Sequence, residues 1–192
     1  MKRLIDLIIS LTLLPLLLLV LAAACVANRI EGAGPVLFRQ TRYGSKGQPF
    51  SIYKVRTMRV AEAGNQFNQA RRGDARVTGF GRLLRASSLD ELPQLLNVLR
   101  GDMSLVGPRP HPTQLDETYR RAIEDYDRRF DVKPGITGLA QVRGHRGPTE
   151  TIDVMRARIA CDIEYVERSS VLLDIQILFR TFAAVLVPKN AY

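Results

Sequence analysis

Residues 4–27 read LIDLIISLTLLPLLLLVLAAACVA, and the way this run meets a membrane decides the architecture. It is apolar apart from Asp6 and a few small polar residues, and a hydrocarbon core of about 30 Å takes only ~20 such residues to cross. Three readings compete. A plain spanning helix is the first. A cleaved signal is the second, because Ala22-Ala23-Ala24-Cys25 loosely resembles a lipoprotein cleavage box, although Asp6, Pro15 and the length of the run oppose it. The third is a helical hairpin that enters one leaflet and returns. Pro15 offers no N–H to the carbonyl of Leu11 and its ring crowds that carbonyl, so the helix kinks or breaks there. Each half then holds roughly 11–12 residues, or ~17 Å, about one leaflet. Both flanks are basic, with Lys2 and Arg3 before and Arg29, Arg39, Arg42 and Lys46 after. The positive-inside rule puts both flanks in the cytoplasm, and only a re-entrant segment allows that.

The whole chain has 192 residues, 46% of them hydrophobic and 24% charged, which excludes a disordered or collagen-like chain. Five of the 28 basic residues are lysines, leaving 23 arginines against 19 acids and a net charge of +9. Arginine's planar fork suits phosphate and carboxylate oxygens, so the balance points to an anionic partner: nucleic acid, anionic lipid or a phosphorylated substrate. Two cysteines, Cys25 and Cys161, support neither a disulfide framework nor a zinc site, and a reducing compartment is the easier reading. His111 and His145 are too far apart for an HxxxH or HExxH site and read as incidental.

Beyond residue 28 no second long apolar run occurs. Residues 36–38 and 50–55 read as two strands of a hairpin across a turn at 44–48. Residues 61–75 are polar and aperiodic, as in a mobile loop. Residues 80–84 begin a helix, Ser87 and Ser88 look like a start signal, and Leu89, Leu92, Leu95, Leu96 and Leu99 recur at helical spacing. Gly107-Pro108-Arg109-Pro110 is a rigid loop, since each proline fixes φ. A charged helix is expected over 112–130, a turn at 133–135, a short extended piece over 138–142, a loop over 144–148 and a helix over 151–166. The stretch 171–187 is apolar but interrupted by Asp174, Gln176 and Arg180, which suits an amphipathic helix lying in a membrane interface. The expected fold is α+β, mostly helical, with a small β-hairpin. It divides into the apolar anchoring segment at 1–28, re-entrant or spanning, and the rest of the chain at 29–192.

Asp90-Glu91 opens the leucine-rich helix, with Arg82 and Arg85 just upstream. Helix-start amides and guanidiniums favour an anion there, either the carboxylates or a phosphate they attack. A carboxylate can act as a nucleophile at phosphorus, and its neighbour can hold Mg²⁺. The same Ser-x-Asp-Glu pattern is also an ordinary helix cap. Arg109, between Pro108 and Pro110, is stiffly presented and can fork a phosphate or a base edge, or simply belong to a surface turn. Lys54 and Arg56 on the second strand, with Arg39 and Arg42 on the first, would gather cations on one sheet, or form a solvated face.

With these residues in hand the sequence resembles the bacterial sugar transferase family, the small monotopic polyprenyl-phosphate phosphoglycosyl transferases that open many glycan assembly pathways. The matching stretches are GPVLFRQTRYG, FSIYKVRTMR, DARVTGFGRLLRASSLDELPQLLNVLRGDMSLVGPRP and VKPGITGLAQV, with weaker matches at DIEYV and SVLLDIQIL. They cover nearly the whole chain in the right order.

The resemblance implies a re-entrant helix broken at a proline, which Pro15 matches, although Leu14 stands where the family often has serine. It implies that Asp90 attacks the β-phosphate of a UDP-sugar and becomes glycosyl-phosphorylated, that Glu91 is its partner in a dyad associated with Mg²⁺, and that Asp90 and Glu91 are the metal-holding pair. It matches Arg85 to a phosphate-contacting arginine and Pro108-Arg109-Pro110 to a loop near the nucleotide. The family's Lys-Phe-Arg-Ser-Met appears as Lys54-Val55-Arg56-Thr57-Met58, with Lys54 and Arg56 as substrate-binding candidates. Larger relatives carry a transmembrane bundle ahead of this unit, so the chain is expected to be the minimal catalytic form. The implied partners are a UDP-sugar, polyprenyl phosphate and inner-membrane phospholipid at the cytoplasmic face, with UMP as the leaving group.

The competing class is a membrane-anchored basic protein that binds anionic lipid or nucleic acid without catalysis. The chain has no Trp and no nucleic-acid motif, so nucleic acid is not expected. The identity of the sugar is not readable, the loop over 143–148 being a candidate determinant, and a homo-oligomer stays open.

Overall fold

The computed structural model describes residues 1–60, 73–147, 149 and 151–186. The N-terminal run forms two helices, α1 (Lys2–Thr12) and α2 (Leu14–Glu31), which meet at Leu13. Pro15 lies in the first turn of α2, where a missing N–H has no intrahelical acceptor to lose. Among the described residues, α2 is the one helix long and apolar enough to cross a membrane by length and composition.

The two helices face the body differently. On α1, Asp6 and Ser10 are buried while Leu4, Ile8 and Leu11 are exposed. On α2, Leu17, Val20, Ala24 and Asn28 recur at three- and four-residue spacing as a buried stripe, and Leu18, Leu19, Val26 and Ile30 face outward. Polar contacts dock α1. The Asp6 carboxylate accepts from Ser104 Oγ at 2.9 Å and from the Leu105 amide at 3.0 Å. Lys2 Nζ donates to the Val106 carbonyl, Tyr165 Oη and Asp174, and Arg3 donates to the carbonyls of Val98 and Leu99. The far end of α2 is held too, since Glu31 Oε1 accepts from the Phe80 amide at 3.0 Å.

The hairpin pairs β1 (Leu37–Tyr43) with β2 (Pro49–Val55), antiparallel, from Leu37 opposite Val55 to Tyr43 opposite Pro49. The first strand is longer than its apolar residues announce, because Arg39, Gln40, Thr41 and Arg42 continue it. The cations do not share one face. Arg42 and Lys54 turn inward, whereas Arg39 stacks over the Tyr53 ring and Arg56 over Phe38. After residues 61–72, where most of the expected polar loop falls and which lie outside the described residues, α3 (Gly79–Ala86) follows. A 3₁₀ turn (Leu89–Glu91) and α4 (Gln94–Arg100) come next.

Strand β3 (Ser104–Val106) pairs in parallel with β4 (Gly135–Thr137), a small sheet the turn reading of 133–135 did not anticipate. Between them lie α5 (Thr113–Arg120) and a 3₁₀ segment (Tyr126–Asp131). The single charged helix expected over 112–130 is therefore two pieces, interrupted at Asp125, whose φ is +59°. The extended piece expected over 138–142 is instead a helical turn, α6 (Leu139–Val142). Helices α7 (Ile152–Arg168) and α8 (Val171–Leu186) complete the described chain.

The main core joins Ile52, Leu95, Val98, Met103, Leu105, Val106, Leu139, Tyr165 and Ile177. A second cluster seats α2 on the hairpin and α3 through Val20, Ala24, Val55 and Leu84. Helix α8 buries Asp174 and Ile177 but exposes Leu172, Ile175, Phe179 and Phe182, an apolar stripe continuous in character with the outer faces of α1 and α2.

Candidate active site

Ser87 and Ser88 end one helix and aim the next residues. Ser87 Oγ donates back to the carbonyls of Leu83 and Leu84, so it closes α3 and does not start a helix. Ser88 takes φ +57° and makes no side-chain cap. That left-handed step turns the chain sharply into the 3₁₀ turn bearing Asp90 and Glu91.

The two carboxylates meet opposite fates. Glu91 Oε1 accepts from Lys54 Nζ at 2.7 Å and from Arg109 Nη2, while Oε2 accepts from Arg109 Nη1 at 2.9 Å. Burial pushes its pKa up, but Arg109 and then Lys54 outweigh burial and hold it well below the usual carboxylate range. Asp90 makes no side-chain hydrogen bond among the described residues. Burial, then the neighbouring Glu91 charge, lifts its pKa to about 6, with Lys54, Arg85 and Arg109 pulling the other way. One carboxylate is a permanently ionised anchor for two cations. The other is an unusually basic carboxylate with no side-chain hydrogen bond among the described residues.

Arg109 owes its aim to its loop. The carbonyl of Pro108 accepts from the Gly135 amide at 2.9 Å, that of Arg109 from Arg129 Nη2 at 2.5 Å, and that of Pro110 from Arg42 Nη1 at 3.2 Å. Gly107 sits so close to the β4 approach that a Cβ there would stand 2.3 Å from the Lys133 carbonyl oxygen. The Gly-Pro-Arg-Pro and Lys-Pro-Gly segments thus lock together, and only glycine lets the backbones touch.

Behind the loop lies a buried ionic cluster. Arg129 pairs with Asp116 at 3.2 Å and Asp162 at 3.0 Å, all three side chains at most 1% exposed. Tyr126 Oη donates to Asp116 at 2.7 Å, and Arg129 Nη1 reaches His111 Nδ1 at 2.6 Å. Arginine can only donate, so Nδ1 is the acceptor. Burial, followed by Arg129, drives the His111 pKa well down and keeps the ring neutral. His111 is therefore a structural member of this cluster, not an incidental residue. Arg42 is also buried, and burial together with Arg109 lowers its pKa to about 9, which still leaves it charged at neutral pH.

Of the sequence candidates, Asp90, Glu91, Lys54, Arg109 and its flanking prolines come together. Arg85 donates Nε to Thr57 Oγ1 at 2.8 Å and lies near enough to lower the Asp90 pKa. Arg56 faces elsewhere, its Nε donating to the Pro35 carbonyl at 2.8 Å. The sequence reading missed Arg129, Asp116 and Asp162. Among the described residues no group of three or more His, Cys, Asp or Glu could hold a metal. Both Glu91 oxygens are taken by Lys54 and Arg109, so of the pair Asp90 alone offers a hard oxygen donor without a side-chain hydrogen bond among the described residues. A single carboxylate can hold Mg²⁺, which completes its shell with phosphate oxygens and water.

The model of the family described as bacterial sugar transferase matches residues 1–188. The chain belongs to the bacterial sugar transferase family. It is 53% identical over its whole length to a UDP-glucose:undecaprenyl-phosphate glucose-1-phosphate transferase of Caulobacter vibrioides, spanning 72% of that protein. It is 47% identical to the Escherichia coli protein of the same description, of which it spans 41%. It is 40% identical to the exopolysaccharide production protein PSS of Rhizobium leguminosarum, spanning 98% of it. Family membership makes the chain a transferase.

Proposed function

We propose that the chain transfers a sugar-1-phosphate from a UDP-sugar to undecaprenyl phosphate, releasing UMP, through a covalent phospho-sugar on Asp90. Glucose is the sugar named for the Caulobacter and Escherichia relatives and the first donor to test. The observation that carries the reading is an Asp90 carboxylate with no side-chain hydrogen bond among the described residues, beside a Glu91 held by Lys54 and Arg109.

In the first step an Asp90 oxygen bonds to the β-phosphorus as the bond from that phosphorus to the bridging oxygen breaks, and UMP departs with the bridging oxygen. In the second, an oxygen of the lipid phosphate bonds to the same phosphorus and the acyl–phosphate bond breaks, restoring the carboxylate. With a pKa of about 6, Asp90 is mostly ionised at pH 7, yet more basic than an ordinary aspartate. Glu91 does not carry protons; it fixes Lys54 and Arg109 where the diphosphate charge must be met. Asp90, with Glu91 beside it, would hold Mg²⁺, which would supply further neutralisation of that charge. The rigid Gly107–Pro110 loop keeps Arg109 from following the departing group.

The same reading makes residues 1–28 a re-entrant anchor, residues 29–192 the catalytic domain, and the enzyme monotopic at the cytoplasmic face of the inner membrane. Support comes from the two ends of the apolar segment. Lys2, Arg3 and Asp6 bond to β3, α4 and α8, and Glu31 bonds to α3 of the same body. A helix crossing about 30 Å would separate those ends. The apolar outer faces of α1, α2 and α8 supply surface for the acyl layer. The decisive experiment is UMP release by the purified chain with UDP-glucose, undecaprenyl phosphate and Mg²⁺. Mass spectrometry of Asp90 after donor alone completes it. No UMP from any of a panel of UDP-sugars would remove the proposal.

A further inference from the structure

On the side of α6 away from Arg109, a cavity of about 320 Å³ opens between α6, α7 and α8. Gln141 on α6 reaches toward the site, its Nε2 donating to the Ile136 carbonyl that Arg109 also contacts. Leu139 and Arg143, on the same short helix, line the cavity instead. Three arginines surround it, Arg143, Arg168 and Arg180, against one acid, Glu164. Glu164 is already engaged by Arg143 at 2.7 Å and by Arg168 at 3.0 Å. Arg180 has no ion pair or hydrogen bond among the described residues. Ser170 and Gln176 add neutral polar groups to the wall. The cavity thus holds surplus positive charge with one cation unanswered.

Its place on α8 says what answers it. At roughly 100° per residue, Leu172, Ile175, Phe179 and Phe182 form one exposed apolar arc. Leu172, Gln176, Arg180 and Leu173 form the next arc, which lines the cavity, and Asp174, Ile177 and Thr181 form the core-facing arc beyond it. Leu172 belongs to both of the first two. The cavity therefore lies at the seam where the lipid-facing stripe gives way to polar surface, at headgroup depth if the stripe lies in acyl chains. A free anion needs no apolar rim; an anionic lipid needs both.

We propose that this cavity binds the phosphate of an anionic bilayer phospholipid, with Arg180 and Arg168 on the headgroup and Leu172 and Leu173 along the start of its chains. The inference rests on the membrane seating of α8 and goes beyond the transfer reaction. It assigns the cavity to a resident lipid and not to the acceptor consumed at Asp90.

The test is native mass spectrometry of the full chain in a neutral detergent, titrated with phosphatidylglycerol or phosphatidylcholine, alongside flotation with vesicles of each. One phosphatidylglycerol should be retained, on the order of tenfold more tightly than phosphatidylcholine. Arg180→Gln and Arg168→Gln should each weaken it about fivefold, the scale of one arginine at an anionic lipid surface. Arg156→Gln, an equal loss of charge at the other end of α7, should leave it nearly unchanged. Arg180 supports no other group, so its loss cannot be blamed on unfolding. Equal retention of the two lipids, undiminished binding by both variants, or displacement by comparable concentrations of inorganic phosphate or undecaprenyl phosphate would overturn the proposal. Failure to float with either vesicle would instead remove the membrane reading beneath it, and UMP release reports separately on the transfer chemistry.

Discussion

The guanidinium of Arg109 takes both oxygens of the Glu91 carboxylate, Nη1 standing 2.9 Å from Oε2 while Nη2 closes on Oε1. A fork-on-fork pair of this kind is directional as well as strong. It leaves Glu91 no freedom to act as nucleophile or proton carrier, and so places two adjacent carboxylates in different environments.

Asp90→Asn should cut the rate by several orders of magnitude while raising the melting temperature by a few degrees at neutral pH. Burial lifts the Asp90 pKa from 3.8 to about 6. A raised carboxyl pKa means that the stability allowed by the neutral form is full below about pH 4 and is lost as pH rises through 6. The melting-temperature advantage of Asn should therefore be small at pH 4 and fully open by pH 7. Calorimetry at both pH values checks this; an Asn variant no more stable at pH 7 than the parent would contradict the burial of a charged Asp90.

The first half-reaction should share that titration. Without acceptor, the UMP burst rate at limiting UDP-glucose should rise about tenfold per pH unit below 6 and level off above it, because only the carboxylate attacks. A flat profile from pH 5 to pH 8 would exclude Asp90 as the nucleophile.

Arg109→Lys should fold yet lose on the order of a hundredfold in kcat/KM, since an ammonium cannot span both Glu91 oxygens and meet a phosphate. Arg109→Ala should also melt several degrees lower, because it strips a partner from a half-buried carboxylate. Equal activity of the Lys variant and the parent would show that the fork is dispensable.

Exhaustive EDTA treatment should abolish turnover and Mg²⁺ or Mn²⁺ should restore it. Glu91→Gln should raise the Mg²⁺ concentration needed for half-maximal rate as well as lowering the rate. Full activity after chelation would rule the metal out.

An N-terminal cysteine tag, with Cys25 and Cys161 replaced, should stay unlabelled by an impermeant reagent in intact cells and react once the inner membrane is opened. Pro15→Leu should shift a fraction of molecules to outside labelling, and Asp6→Ala combined with it should enlarge that fraction by freeing α1 from Ser104 and Leu105. Outside labelling of the parent would leave a spanning anchor in place of the hairpin.

The hairpin, the rigid proline loop and the Asp-Glu pair were legible because each has a local cause: alternation, fixed φ, and adjacency of two acids. The buried cluster was not. Arg129 lies in a run rich in charge that reads as solvated surface, and its partners Asp116 and Asp162 come from separate elements. Nothing in the neighbourhood of His111 announces that an arginine will face it. Short pieces failed for a related reason. The four residues of α6 are too few for a period, and Ser87 looks like a helix start because its hydroxyl caps backbone at either end. Parallel pairing of β3 with β4 rests on Gly107 and Gly135 meeting across the fold, a contact no window of sequence contains.

The bond from Lys2 to Asp174 joins α1 to α8 across 172 residues of chain. During synthesis α1 emerges long before Ser104, Val106, Tyr165 or Asp174 exist to receive its Lys2 and Asp6. Until then that helix carries an unpaired Asp6 carboxylate beside exposed leucines. Docking of α1 is thus a closing step, completed only once α8 is in place. A chain cut short before α8 would lack the bond from Lys2 to Asp174 that completes the clasp of α1 on the body.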